Sequence, residues 1–132
     1  MARILIIDDE PQIVTMLSTF LGREGHVVVS AGDGKEGLKI LAGSCFDIVI
    51  TDIIMPERDG FEVLMSIKKM PNRPKIIAIT GGSSYLVQEY LLDISVKMNA
   101  DVVIPKPLQL PKLSEIINEL LSGGNNRENG LI

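Results

Sequence analysis

Five short, uninterrupted apolar runs constrain the fold of this chain more than any other feature. They are rich in Ile and Val and do not alternate with polar residues. Such runs are typical of strands that are buried on both faces, as in a parallel sheet covered by helices. The runs occupy residues 4–7, 27–30, 48–50, 76–79 and 102–104.

The segments between these runs have the apolar spacing of amphipathic helices. In the first, Ile13, Leu17 and Leu21 share one face, and the fourth predicted helix covers residues 87–98. Strand followed by helix, repeated five times, requires right-handed crossovers. The pattern predicts an α/β fold: a three-layer, doubly wound, flavodoxin-like sandwich with a five-stranded parallel sheet of order 2-1-3-4-5 and five helices.

The length of 132 residues fits one domain. We expect it to span residues 1–121, and residues 122–132, which are polar and rich in Gly and Asn, to form a flexible tail or the start of a linker. The net charge of −4 and the lack of a basic run argue against direct binding of nucleic acid. No apolar stretch reaches the roughly 20 residues that cross a bilayer, and no signal peptide precedes the first strand. With one cysteine the chain forms no internal disulfide, and we expect a cytoplasmic protein without membrane contact.

Polar side chains follow four of the five predicted strands. Asp8 and Asp9 come after the first strand, Asp52 after the third, Thr80 after the fourth and Lys106 after the fifth. Each alone has an ordinary interpretation, such as a solvated loop or a surface lysine. Ligands of open α/β sheets bind outside the carboxyl ends of the strands, so together these residues predict a functional site.

The first strand ends in a group of carboxylates, Asp8, Asp9 and Glu10. Neighbouring carboxylates repel each other and raise each other's pKa. Either a positive charge lies nearby or the group is solvated.

The segments IIDDEP, VITDIIMPERDG, IAIT and PKP resemble those of the receiver domains of two-component response regulators, the CheY-like family. The resemblance extends from about Arg3 to Leu121. It implies a signalling domain, not a turnover enzyme, that catalyses its own phosphorylation and dephosphorylation. Asp52 would accept a phosphoryl group from a sensor histidine kinase or phosphotransfer protein. The modification would alter a face that binds a downstream protein target or output domain, in a monomer or a phosphorylation-dependent homodimer.

The resemblance also implies roles around a bound Mg²⁺ ion. Asp9, Asp52 and the backbone carbonyl of Ile54 would coordinate the metal directly. Asp8 would reach it through water.

Three further roles concern the phosphoryl group and the last strand. Thr80 would hydrogen-bond a phosphoryl oxygen, and Lys106 would pair first with the carboxylates and then with the phosphoryl group. Pro107 would follow a cis peptide bond, which an X–Pro sequence permits at modest cost.

The sequence departs from the family pattern at two places, and a third position, residue 54, bears on the lifetime of the phosphoryl group. Val103 stands where the family often has Tyr or Phe, so a switch based on a rotating ring cannot operate here. Thr80 and Lys106 are 26 residues apart, about four more than the pattern, which is roughly one helical turn. The apolar Ile54 stands where the family tunes phosphoryl hydrolysis, which predicts slow self-dephosphorylation.

Two other classes of function compete with this interpretation. A phosphorylation-independent interaction or scaffold domain could keep the fold, but it would not need all five site residues. A metal-dependent hydrolase with an Asp nucleophile usually has a second acid two residues later. Residue 54 is Ile, so that spacing is missing after Asp52.

Overall fold

Strands and helices alternate along the part of the chain that the computed structural model describes, residues 1–52, 59–80 and 100–123. The strands are β1 (Arg3–Ile7), β2 (Val27–Ala31), β3 (Ile48–Asp52), β4 (Lys75–Thr80) and β5 (Val102–Pro105). The helices in those ranges are α1 (Pro11–Arg23), α2 (Gly34–Gly43), α3 (Asp59–Lys68) and α4 (Leu110–Leu121). All five predicted strands are confirmed, each within two residues of its apolar run.

The strands form one parallel sheet of order β2-β1-β3-β4-β5. This order confirms the predicted doubly wound arrangement. The two faces of the sheet are covered by different helices. Leu17 of α1 and Ile116 of α4 pack in one apolar cluster with Ile6, whereas Leu64 of α3 packs in the other with Leu5. The three layers explain why the strands carry apolar residues without interruption.

The loop between β2 and α2 is fixed by a reciprocal pair of hydrogen bonds. The Asp33 carboxylate caps α2 by accepting from the backbone N–H of Glu36 at 2.8 Å. The Glu36 carboxylate accepts in turn from the backbone N–H of Gly32 at 2.7 Å. One turn into the helix, a Cβ on Gly37 would overlap the buried side chain of Ile7, so glycine lets α2 pack this closely on the end of β1.

Several predictions lie outside the described residues. These are the helix at 87–98, the role of Ile54 and most of the tail at 122–132. The last described helix ends at Leu121, followed by Ser122 and Gly123. The domain boundary after residue 121 stays a prediction.

Candidate functional site

The end of β1 presents one buried and two exposed carboxylates. Asp8 is 2% exposed, and its backbone N–H donates to the carbonyl of Ala31 at 3.1 Å, which fixes it beside the end of β2. One oxygen of its carboxylate, Oδ1, accepts from the backbone N–H of Glu10 at 2.8 Å. Asp9 and Glu10 are exposed in the turn that leads into α1. The sequence places them there because Pro11 begins the helix and ends the turn.

Asp52 ends the central strand and is 3% exposed. Its Oδ2 lies 3.0 Å from Nζ of Lys106, which reaches in from the residue after β5. The same Nζ lies 2.8 Å from Oε1 of Glu10. One ammonium group therefore bridges a buried carboxylate on β3 and an exposed carboxylate at the start of α1.

Four carboxylates converge in this pocket. One oxygen from each of Asp8, Asp9, Glu10 and Asp52 lies within 4.8 Å of the other three. Among the ion pairs of the described residues, only Lys106 brings a positive charge to these carboxylates, and one charge cannot neutralise four. The pocket is therefore electrostatically unfavourable without a further cation.

The pKa values of Asp8 and Lys106 are both raised, for different reasons. Burial, opposed by the Glu10 backbone hydrogen bond and reinforced by the charge of Asp52, raises the pKa of Asp8 from 3.8 to about 6. Burial alone would lower the pKa of Lys106. The hydrogen bonds to Glu10 and Asp52 more than offset that effect, and the pKa of Lys106 lies above its ordinary value. The lysine stays charged at neutral pH.

Thr80 and Lys106 are held together by the backbone. Thr80 pairs in register with Pro105, and the backbone N–H of Lys106 donates to the Thr80 carbonyl at 2.7 Å. The Lys106–Pro107 peptide bond is cis, as predicted. Val103 is buried in the core and pairs with Ala78. An aliphatic side chain therefore fills the position at which the receiver family often has Tyr or Phe.

Two buried oxygens point to a ligand at this edge. Within the described ranges, Asp8 Oδ2 and Thr80 Oγ1 are buried and have no hydrogen-bond partner. Buried polar atoms in native proteins are nearly always satisfied, by protein, water or an ion. The donor set around Asp8 consists of oxygens, which suits a hard divalent cation such as Mg²⁺. The residues present therefore fit the metal that the sequence analysis expected.

The structure brings together five of the six residues predicted for the site, namely Asp8, Asp9, Asp52, Thr80 and Lys106, at the carboxyl edge of the sheet. Ile54, the sixth, lies outside the described residues. Sequence reasoning noted Glu10 in the carboxylate group but gave it no role. In the structure Glu10 occupies the N-cap position of α1, where Ser, Thr, Asp or Asn is preferred, and its side chain makes no cap hydrogen bond.

The fold and the acidic pocket define a doubly wound α/β domain with an oxygen-rich, lysine-bearing site at the topological switch of its sheet. Residues 4–118 match the family described as the response regulator receiver domain. The chain belongs to this family. Receiver domains are phosphorylation-switched signalling domains of two-component systems and not turnover enzymes in the ordinary sense.

Curated relatives include response regulator SaeR of Staphylococcus epidermidis, 35% identical over 92% of this chain and 51% of the relative. The transcriptional regulatory protein AfsQ1 of Streptomyces coelicolor is 32% identical over 94% of this chain and 53% of its own length. The chain thus spans about half the length of these relatives.

Solved structures agree with the fold. The response regulator TrrA of Thermotoga maritima, solved in complex with Mg²⁺-BeF, is 37% identical with a TM-score of 0.78 and covers 91% of this chain and 99% of its own. A CheY-like receiver domain protein of Methanospirillum hungatei is 31% identical with a TM-score of 0.83, covering 94% and 96%. Among the described helices, none has the length and apolar character needed to span a membrane.

Proposed function

We propose that Asp52 accepts a phosphoryl group from a phosphohistidine of a sensor histidine kinase or phosphotransfer protein, in a Mg²⁺-dependent reaction. The observation that carries this proposal is the position of the Asp52 carboxylate. It is 3% exposed, lies 3.0 Å from the Lys106 ammonium and stands in a group of four carboxylates. A carboxylate buried with this much like charge needs a reason to be there, and a metal-assisted acceptor supplies one.

The site residues divide the work of phosphoryl transfer. A carboxylate oxygen of Asp52 forms the new O–P bond while the P–N bond to the donor imidazole breaks, and the imidazole leaves with the bonding electron pair. Phosphoryl transfer relies on positioning and charge stabilisation more than on covalent chemistry. Lys106 supplies a fixed positive charge beside Asp52, and its raised pKa keeps that charge in place at neutral pH.

The metal would be held by the oxygens of Asp9 and Asp52 and by the Ile54 carbonyl, with Asp8 contributing through water. When bound, Mg²⁺ would neutralise carboxylate charge and the charge on the transferring group. The buried, unpartnered Asp8 Oδ2 supports this assignment. The similarity to a receiver solved with Mg²⁺-BeF supports it independently.

Thr80 would hydrogen-bond an oxygen of the phosphoryl group once that group is attached to Asp52. Its hydroxyl is buried, and no partner for it lies among the described residues, so it is available to donate to a phosphoryl oxygen. Its backbone is bonded to Lys106, so a movement at one residue is transmitted to the other. The ring-based switch is excluded by Val103. The conformational response would then run through Thr80 and the chain that follows it, towards a face that binds a downstream target or output domain.

Relatives that are transcriptional regulators suggest an output step in gene control for the longer proteins. For this chain we propose only the receiver step, in the cytoplasm, by residues 1–121, as a monomer or a phosphorylation-dependent homodimer. The aspartyl phosphate is expected to be long-lived because Ile54 cannot orient an attacking water. A half-life of seconds or less would contradict that expectation.

The deciding experiment is the intact mass of the protein after incubation with Mg²⁺ and acetyl phosphate. We expect one phosphoryl adduct on the parent chain and none on Asp52→Asn. Asp101→Asn is the matched control. It makes the same chemical change at the opposite end of the strands, where β5 begins, and should leave the adduct intact. An adduct on Asp52→Asn would overturn the assignment of the acceptor. No adduct on the parent, with Mg²⁺ binding shown separately and a cognate phosphodonor also ineffective, would favour a phosphorylation-independent interaction domain.

A further inference from the structure

Glu10 has an unusual position for a residue at the start of a helix. It is the N-cap residue of α1, yet its carboxylate makes no capping bond to that helix. The carboxylate instead lies 2.8 Å from Nζ of Lys106, a residue 96 positions away along the chain. The backbone N–H of Glu10 donates to the buried Asp8 carboxylate, which fixes where the side chain starts. Glu10 therefore faces the site and not its own helix.

Lys106 is shared between two carboxylates of very different exposure. Glu10 is 56% exposed at its side chain, and Asp52 is 3% exposed. An exposed ion pair is worth little, because water and salt compete for both partners. The Lys106–Asp52 contact lies in a drier environment and is harder to replace. Of these two carboxylates, Glu10 is the one that Lys106 can release more easily.

Phosphorylation changes what Lys106 faces. The Asp52 carboxylate loses its formal charge on becoming an acyl phosphate, and the attached group brings a charge of about −1.5 to −2 with several acceptor oxygens. A lysine ammonium has three N–H donors, which follow the strongest charge-assisted acceptors available. Glu10 can return to solvent at small cost because it is already half exposed.

We infer that Glu10 is a positioning residue that holds Lys106 in the unphosphorylated domain and releases it when a phosphoryl group arrives on Asp52. This inference rests on the proposed function of Asp52. The Glu10–Lys106 pair ties the start of α1 to the connection between β5 and α4 in the resting state. Its release both frees Lys106 for the phosphoryl oxygens and loosens that tie. Glu10 thus favours the resting state over the modified one.

The first measurement is the affinity of the Mg²⁺-saturated domain for beryllium fluoride, a non-covalent stand-in for a phosphoryl group, by isothermal titration calorimetry. Glu10→Gln should bind about threefold more tightly than the parent, within the roughly fivefold limit set by an exposed ion pair. Glu115→Gln is the matched control. Glu115 is also an exposed glutamate near a lysine, Lys112, at 3.9 Å, and this change should leave the affinity unaltered.

The second measurement separates the shared lysine from simple charge repulsion. Chemical unfolding of the metal-free parent, Glu10→Gln, Lys106→Met and the double variant gives the coupling between the two side chains. We expect a favourable coupling that corresponds to about a threefold change in the unfolding equilibrium. Tighter beryllium fluoride binding without this coupling would mean direct repulsion of the ligand by Glu10 and would overturn the inference.

Failure of the inference and failure of the proposed function look different. If the parent binds beryllium fluoride and Glu10→Gln binds it equally or more weakly, Glu10 does not hold Lys106 in the unphosphorylated state. Weaker binding together with a reduced affinity for Mg²⁺ would instead make Glu10 a metal ligand. If the parent itself fails to bind beryllium fluoride in the presence of Mg²⁺, the proposed function falls and this inference falls with it.

Discussion

Aspartates have opposite roles at the amino edge of the sheet, where the strands begin, and at its carboxyl edge, where the strands end. At the amino edge, Asp47 Oδ2 accepts from the backbone N–H of Arg3 at 2.8 Å, and Asp101 Oδ2 accepts from that of Ile76 at 2.7 Å. Each carboxylate ties the start of its strand to the neighbouring strand. At the carboxyl edge, Asp8 is buried with one oxygen that lacks a partner among the described residues.

The difference shows which carboxylates serve the fold and which serve the site. At the amino edge, the donors that satisfy the carboxylates are backbone groups of the protein itself. At the carboxyl edge, four carboxylates lie close together beside Lys106, and burial, reinforced by the charge of Asp52, raises the pKa of Asp8. An arrangement that destabilises the empty domain is expected where a ligand later supplies the missing charge. Measurements of stability can therefore separate the two edges.

Addition of Mg²⁺ should give the largest effect. A ligand that binds only the folded state stabilises it by about 3 kcal/mol at one hundred times its dissociation constant. We expect a rise of that size in the free energy of unfolding of the parent, measured by chemical denaturation at constant ionic strength. The rise should be much smaller for Asp8→Asn and unchanged for Asp101→Asn. An equal rise in all three proteins would mean that the metal binds elsewhere.

Asp8→Asn should stabilise the metal-free domain by about 2 kcal/mol at neutral pH, because it removes a buried, partly unsatisfied charge. The pKa of Asp8 is raised from 3.8 to about 6, so the folded state holds its proton more tightly than the unfolded state does. The parent therefore loses stability as pH rises from about 4 to about 6, and the penalty is complete above that range. The free energies of unfolding of the parent and of Asp8→Asn, plotted against pH, should converge near pH 4. A difference that is independent of pH would assign the effect to packing and not to charge.

Much of this comparison could be predicted from the sequence. Strands buried on both faces leave continuous apolar runs, and the residue that ends each run is fixed at a sheet edge by the chain itself. Asp8, Asp52, Thr80 and Lys106 were found in this way, because each follows such a run directly or after one residue. The order 2-1-3-4-5 was predicted as the flavodoxin-like form of the doubly wound fold, in which the connections between parallel strands are right-handed.

Which carboxylates serve the site and which serve the fold could not be predicted in this way. Asp33 follows a strand, as Asp8 does, but it caps a helix. Asp47 precedes a strand and is satisfied by a neighbouring strand's backbone. The position of Glu10 beside Lys106 depends on two loops 96 residues apart meeting in space. Such contacts depend on tertiary packing, which no local pattern encodes.

Asp101→Ala should lower the free energy of unfolding by about 1.5 kcal/mol, since it leaves the backbone N–H of Ile76 without its charged acceptor at the partly buried start of β4. Asp47→Ala should cost less because Asp47 is exposed and water can replace it. Thermal or chemical unfolding checks both values. A stabilising effect of Asp101→Ala would contradict the view that the amino edge is structural.

Asp33→Ala should have the smallest effect, a loss of about 1 kcal/mol, which is typical of removing a helix cap. Asp33 stands at the carboxyl edge like Asp8, but its oxygen accepts from the Glu36 backbone at 2.8 Å and so serves α2. Its replacement should leave the stabilisation by Mg²⁺ unchanged, which a titration followed by unfolding would test. A reduced response to Mg²⁺ would show that the acidic site extends beyond the ends of β1 and β3. An unchanged response would confine the acidic site to the ends of β1 and β3. It would also mean that a position at the carboxyl edge does not by itself make a carboxylate part of the site.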